Sequence, residues 1–236
     1  MEHTLVFLSA PDDCSYLPQE RAQLRYELAP HLTPTDYMTR LREGWRRFGP
    51  ILFRNECPTC RKCQSLRVPV DTFRPSGSQR RAWSKNRGHV GVRVGIPSSS
   101  PEKLDLFQRF HRHGYQTKGW SADPGHDLQL FTNNPFPTEE WSYYIGERLV
   151  AVGYVDVLPE GLSAIYFFHD PDEGKRSLGT FNVLTMIDAA RERGLPHVYL
   201  GYYVEGCRSL EYKNRFMPNE RLNDAGEWSH RIDGFQ

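Results

Sequence analysis

Residues 162–204 constrain this chain more than any other segment. They read as a strand, LSAIYFFHD, a glycine-containing loop, HDPDEGKRSLGT, a long helix, SLGTFNVLTMIDAARERG, and a second strand, HVYLGYYV. Leu178, Phe181, Leu184 and Ile187 fall on one helical stripe, and Gly194 stands where a glycine commonly closes a helix. Strands joined through a helix cannot pair as a hairpin, so the connection must cross over the sheet. Just upstream, WSYYIGERLVAVGYVDVL alternates on either side of a Gly146-Glu147 turn and predicts a hairpin. Together these segments predict an α/β (α+β) domain with a mixed sheet. Its functional place is where strand ends open toward the loop.

The text before this domain is less regular. TPTDYMTRLREGWRR at 33–47 predicts a helix capped by Thr35 or Asp36, with Tyr37, Leu41 and Trp45 on one face. FGPILFRN reads as a turn and short strand, and SLRVPVDTF alternates Leu66, Val68 and Val70 inward. Between them lies CPTCRKC, whose Cys57, Cys60 and Cys63 form two overlapping CxxC units. PEKLDLFQRFHRHGY repeats Leu104, Phe107, Phe110 and His111 at helical spacing and should end near Gly114. The unpatterned PSSSP at 97–101 predicts a boundary between a smaller N-terminal lobe, residues 1–96, and a larger lobe, residues 102–236.

A two-residue gap lets both sulfurs of a CxxC turn face one soft ion, so Cys57, Cys60 and Cys63 point to zinc or an iron–sulfur cluster, with Cys14 as the economical fourth ligand. Buried or redox-active thiols are the alternative. The start, MEHTLVFLSAPDDC, lacks a signal-peptide pattern and no apolar run reaches membrane-span length, so a cytoplasmic protein without membrane contact is expected. The net charge of only +1 argues against coating nucleic acid through bulk electrostatics and directs attention to local charge. Residues 67–93 carry Arg67, Arg74, Arg80, Arg81, Lys85, Arg87 and Arg93 against Asp71 alone, a pattern that fits a phosphate-binding loop or a solvated basic face. EGKRSLGT, with Ser177, Gly179 and Thr180, reads as an anion cradle or a plain helix cap; the strings GxxxxGK[ST] and GxGxxG are absent. YLGYYVEGCRSLEYKNRF crowds tyrosines and charges after a strand and suggests a pocket, with Cys207 as a packed thiol.

The strings CSYLP, CPTCRKCQSLRVPVDTFRPSGSQRR, DVLPEGLSAIYFFHDP, SLGTFNVLTMIDAARERGLPHVYLGYYVEGC and EYKNRF together resemble the bacterial aminoacyl-tRNA protein transferases. The resemblance implies a GNAT-like acyltransferase lobe. It also implies transfer of Arg or Leu from charged tRNA to proteins with Asp or Glu at the N-terminus, creating a degradation signal without a nucleotide cofactor. On that reading Arg74, Arg80, Arg81 and Lys85, with Ser78 and Gln79 beside them, face acceptor-end phosphates while Trp83 stacks on a terminal base. Arg208, Lys213 or Arg80 would meet the acidic side chain, with Tyr212 nearby, and Glu205, Asp156 or Tyr202 would take the amine proton. Competing readings are an acyl-CoA-dependent GNAT-fold enzyme and a non-catalytic zinc-knuckle RNA-binding protein.

Overall fold

The computed structural model describes residues 5–28, 32–118, 120, 128–132 and 135–231. Strands β1 (Leu5–Leu8), β2 (Asp12–Asp13), β3 (Arg21–Ala22) and β4 (Leu24–Leu28) precede helix α1 (Pro34–Arg42). Then come β5 (Arg46–Phe48), β6 (Ile51–Asn55), β7 (Cys63–Pro69), α2 (Gly77–Asn86), β8 (Gly91–Gly95), α3 (Pro101–Lys118) and the single-turn α4 (Gln129–Thr132). Strands β9 (Thr138–Ile145), β10 (Arg148–Leu158) and β11 (Gly161–His169) lead through a 3-10 turn, Pro171–Arg176, into α5 (Leu178–Glu192) and β12 (His197–Val204). The short α6 (Arg208–Glu211), a second 3-10 turn at Tyr212–Arg215, and strands β13 (Asn219–Leu222) and β14 (Trp228–Arg231) complete the order.

An eight-stranded mixed sheet, β14-β13-β7-β12-β11-β10-β9-β8, forms the body of the molecule. A four-stranded antiparallel sheet, β1-β4-β6-β5, stands beside it. The parallel pair β11/β12 is joined through α5, which is the crossover that the sequence predicts. The large sheet also takes strands from before the 97–101 connector: β7 lies between β12 and β13, and β8 is the far edge. The cysteine-bearing turn joins two strands as expected, but β6 and β7 belong to different sheets, so residues 56–62 tie one sheet to the other.

Burial explains these assignments. The predicted α5 stripe, Leu178, Phe181, Leu184 and Ile187, is buried with Leu66, Val68 and Val70 in one core, and Val183, Met186 and Ala190 join it. Helix α1 is capped by Thr33 rather than Thr35 or Asp36: Thr33 Oγ1 accepts from the Asp36 amide at 3.1 Å, and Pro34 occupies the first helical position. Trp45 lies beyond its end yet still packs with Tyr37 and Leu41. Helix α3 runs through Gly114 to Lys118; the glycine is required because the Trp120 ring rests on it, 2.0 Å from where a Cβ would stand.

The basic segment is a helix, not a loop. Ser76 Oγ accepts from the Gln79 amide and the Gln79 side chain accepts from the Ser76 amide, forming a capping box that starts α2.

Glu56 marks where β6 ends and the cysteine turn begins. It accepts from Arg25 Nε at 2.8 Å and Arg54 Nη2 at 2.6 Å. The Arg25 hydrogen bond outweighs burial and, helped by Arg54, holds the Glu56 carboxyl at about 2. A depressed carboxyl pKa contributes stability that is complete above the ordinary value of 4.5 and is lost as pH falls toward about 2. Both arginines are partly exposed, so about 1 kcal/mol is expected. Glu56→Gln should therefore melt a few degrees below wild type at pH 7, and the two curves should converge near pH 2–3. A gap of equal size at both pH values would show that the pair contributes no charge-dependent stability.

Candidate active site

Strands β11 and β12 pair over only Gly161–Ser163 and His197–Tyr199, and then part. From there β11 is paired with β10 and β12 with β7. Each strand also carries an irregularity at the parting point. The register of β11 skips Ile165 and that of β12 skips Leu200. Paired bulges at one place re-aim both strands and open a V-shaped split at the C-terminal ends of a parallel pair.

Arg46 fills the apex of this split. Its Nη1 donates to Ser163 Oγ at 3.1 Å and its Nη2 to the Ala164 carbonyl at 2.5 Å, satisfying a β11 group that has lost its strand partner. On the β12 side the guanidinium lies against Gly201, whose φ is +81° and whose Cβ, if present, would stand 3.2 Å from Nη2. Further along β12, Lys213 Nζ donates to the Tyr202 carbonyl at 2.9 Å. Burial, reinforced by the Arg46 charge, pulls the Lys213 pKa down to about 7.

One wall of the split is aromatic. Tyr166 on β11 and His111 on α3 are joined by a 2.7 Å contact between Oη and Nε2, and Phe110 and Trp120 pack on the same imidazole. His169 ends β11 against Phe110, and burial lowers its pKa, favouring the neutral imidazole. At the mouth, Asp170 accepts from Arg109 Nη1 at 2.9 Å and Arg148 Nη1 at 2.6 Å while capping the 3-10 turn. Ser177, at φ +56°, then starts α5 without a side-chain cap, beside Gly179 and Thr180.

The sequence-derived candidates fall in three places. Asp156 is not available as a proton acceptor: it is fully buried and bidentate to Arg47, with Nη2–Oδ1 2.5 Å and Nε–Oδ2 2.6 Å. The Tyr202 hydroxyl is buried and donates to the Gly44 carbonyl at 3.1 Å, which removes it from that role as well, and burial raises its pKa. Glu205 is exposed on the turn after β12. Arg208 is exposed, and Tyr212 stacks edge-on to Phe216.

On α2, Arg80, Arg81, Ser78 and Lys85 are exposed, with Lys85 Nζ donating to the Lys175 carbonyl. Gln79 is buried in its capping box and bonds the Arg215 carbonyl, so its side chain is structural. Trp83 is partly buried and packs on Phe181, and Arg74 is folded onto the Asp71 and Phe73 carbonyls. Helix α2 thus lays a basic face beside the start of α5. Arg46, His111, Tyr166 and Gly201 were missed. For Gly201 a signal existed, since a glycine inside an apolar strand marks a bulge or a close approach.

Cys14, Cys57, Cys60 and Cys63 line one cleft of ≈ 560 Å³ that reaches Tyr202. Burial, then the neighbouring Cys14, Cys57 and Cys60, push the Cys63 thiol up to about 12. Among the described residues no three Cys, His, Asp or Glu side chains are arranged to hold a metal ion. Cys14 and Cys63 also pack against Tyr202, Val204 and Cys207, so the cysteine group abuts the β12 arm of the split.

Known proteins agree with this architecture. Residues 12–81 match the family described as arginine-tRNA-protein transferase, N terminus, and residues 102–223 match arginine-tRNA-protein transferase, C terminus. The chain is 35% identical over 231 residues to an aspartate/glutamate leucyltransferase of Campylobacter jejuni, covering 94% of each. It is 37% identical over 235 residues to one from Bradyrhizobium sp., covering 93% of this chain and 90% of that protein. The crystal structure of FemX superposes with a TM-score of 0.53 at 10% identity, over 93% of this chain and 85% of that one, and shares the fold. Across nearly its whole length, then, the chain belongs to the arginine-tRNA-protein transferase family and is an aminoacyltransferase.

Proposed function

We propose that the chain moves leucine from leucyl-tRNA to the α-amine of proteins that begin with Asp or Glu, and that the transfer takes place in the split between β11 and β12. The observation that carries the site is the pair of bulges with Arg46 at their apex. The activity of the relatives, aspartate/glutamate leucyltransferase, supports donor and acceptor. The name of the matched family, arginine-tRNA-protein transferase, favours arginine as the alternative donor. The new N-terminal residue would act as a degradation signal, and the reaction belongs in the cytoplasm, where charged tRNA is at hand.

In this reaction the neutral amine attacks the ester carbonyl, an amide bond forms, the ester C–O bond breaks, and the proton lost by the amine ends on the departing ribose oxygen. No nucleotide cofactor is consumed. The basic face of α2, with Arg80, Arg81 and Lys85, and the uncapped start of α5 at Ser177, Gly179 and Thr180 are suited to tRNA phosphates. Tyr166, whose hydroxyl meets His111 and whose pKa burial raises, would stay neutral and relay the amine proton rather than hold it. Alignment of two substrates supplies most of the rate.

The test is to incubate the protein with separately charged leucyl- and arginyl-tRNA, or with acetyl-CoA, and peptides beginning with Asp, Glu, Lys or Arg. A leucine-sized mass gain on the Asp and Glu peptides alone is expected. Gain from acetyl-CoA, or tRNA binding without transfer, would replace the proposal with the acyl-CoA or RNA-binding reading.

The four cysteines are offered as a thiolate set for zinc or an iron–sulfur cluster. Burial and the three neighbouring cysteines raise the Cys63 pKa, and a bound cation would relieve that crowding. Because they bridge the two sheets, Cys60→Ser should lower melting temperature or tRNA affinity before it touches the chemical step. Metal analysis of the purified protein, with melting curves and tRNA titrations of the variant, checks both parts. Folding and tRNA binding left intact with transfer abolished would overturn this division of labour.

A further inference from the structure

Among the described residues, two cations at the split, Arg46 and Lys213, have no carboxylate partner. Arg46 is 8% exposed, and its guanidinium meets a hydroxyl and a carbonyl, not a carboxylate, among the described residues. Lys213 likewise meets the Tyr202 carbonyl, and its charge is disfavoured by burial and by Arg46. Of the acids near them in sequence, Glu43 pairs with Arg40, Glu211 accepts from the Gly206 amide, and Glu205 is exposed on the turn after β12. An arginine removed from water without a counter-ion is costly, and this one is fixed in place by Gly201, the residue whose missing Cβ lets it lie on β12. Such a group is built to receive an anion.

We infer that Arg46 and Lys213 together read the side-chain carboxylate of the acceptor's first residue and so make transfer selective for acidic termini. This rests on the reading that the split is the transfer site. In Asp that carboxylate is one methylene from the α-carbon and in Glu two, so its reader must lie close to the attacking amine, as the apex of the split does. A planar guanidinium accepts a carboxylate through paired hydrogen bonds, and a flexible lysine can follow either chain length. An uncharged Asn or Gln would leave both cations buried and unpaired, so these termini should be rejected even though their shape is nearly the same.

The experiment compares kcat/KM for peptides that differ only in Asp or Asn at the first position, and measures charged-tRNA affinity alongside. Wild type should favour Asp by roughly 100-fold or more. Lys213→Met, on the short turn after α6, should cut the ratio to about 10 or less while the Asn value stays within about threefold, and Lys213→Arg should restore part of it. Arg46→Gln, checked by its melting curve, should cut the ratio likewise, with the Asn value falling as well because Arg46 also holds the Ala164 carbonyl at the apex. A ratio unchanged in both variants, or a loss that appears in tRNA affinity instead, would overturn the subsite while leaving the transferase intact. A wild type that transfers to neither peptide would overturn the transferase reading and the subsite with it.

Discussion

Asp156→Asn should lower the stability of this enzyme by about 3–5 kcal/mol, a fall of about 10 °C in melting temperature for a chain of this size. Asp156 is 0% exposed, and Arg47, the cation it neutralises, is almost as fully buried. Thr138 Oγ1 donates to Asp156 Oδ1 at 2.7 Å, and the Arg47 guanidinium also covers the Phe136 ring. The pair fastens β5 of the small sheet to β10 of the large one, and β5 is the strand that carries Arg46 into the split. Asparagine keeps the shape but leaves Arg47 as a buried charge without its partner. Pairing Arg47→Met with Asp156→Leu should recover most of the loss, because both desolvation penalties vanish together. Thermal melts alongside transfer rates settle the matter. An Asn variant with an unchanged melt and abolished turnover would return Asp156 to the chemistry.

Gly201→Ala carries the second large effect, this time on transfer. At φ +81° a Cβ adds about 1–2 kcal/mol of backbone strain, and it meets the Arg46 guanidinium at 3.2–3.3 Å. The Arg46 guanidinium must give by a few tenths of an ångström, which stretches its bond to the Ala164 carbonyl and shifts the apex of the split. A displacement of this kind in a site that works by alignment costs on the order of 10-fold in kcat/KM. Gly194→Ala separates strain from displacement. Gly194 has φ +65° with nothing within 4 Å of its Cβ position, so this variant should pay the strain alone and transfer normally. If both variants lost the same activity, or neither did, the close approach of Arg46 to Gly201 would have no part in function.

Much of the large sheet was legible in the sequence because its signals are local. The α5 stripe and the inward alternation of Leu66, Val68 and Val70 became buried positions, and the Gly146 turn joins β9 to β10 as a hairpin. Basic charge hid α2: the S-x-x-Q box at Ser76 and Gln79 was in the text, but a run of arginines reads equally as a loop. The sheet partners of β7 were not legible, since its neighbours β12 and β13 lie more than a hundred residues away in sequence. The site suffered in the same way. Arg46 and Arg47 are adjacent in WRRF and look like two solvated charges, yet one fills the split and the other holds a buried carboxylate. Tyr166 and His111 find each other only when α3 lies across β11. The cysteines were recognisable from spacing, whereas their position against Tyr202 and Val204 depends on how the small sheet meets the large one.

The central claim is that transfer happens between the diverging halves of β11 and β12, and the most direct test is to find where the acceptor sits. A peptide with Asp first and a photoreactive side chain second, irradiated with the enzyme and leucyl-tRNA, can be mapped by mass spectrometry. The split predicts labelled residues within 164–169, 200–206 and the facing part of α3, with labelling suppressed by excess unmodified Asp peptide. Competable labelling confined to α2, to β1 or to the far edge at β8 would place the acceptor elsewhere and contradict the account.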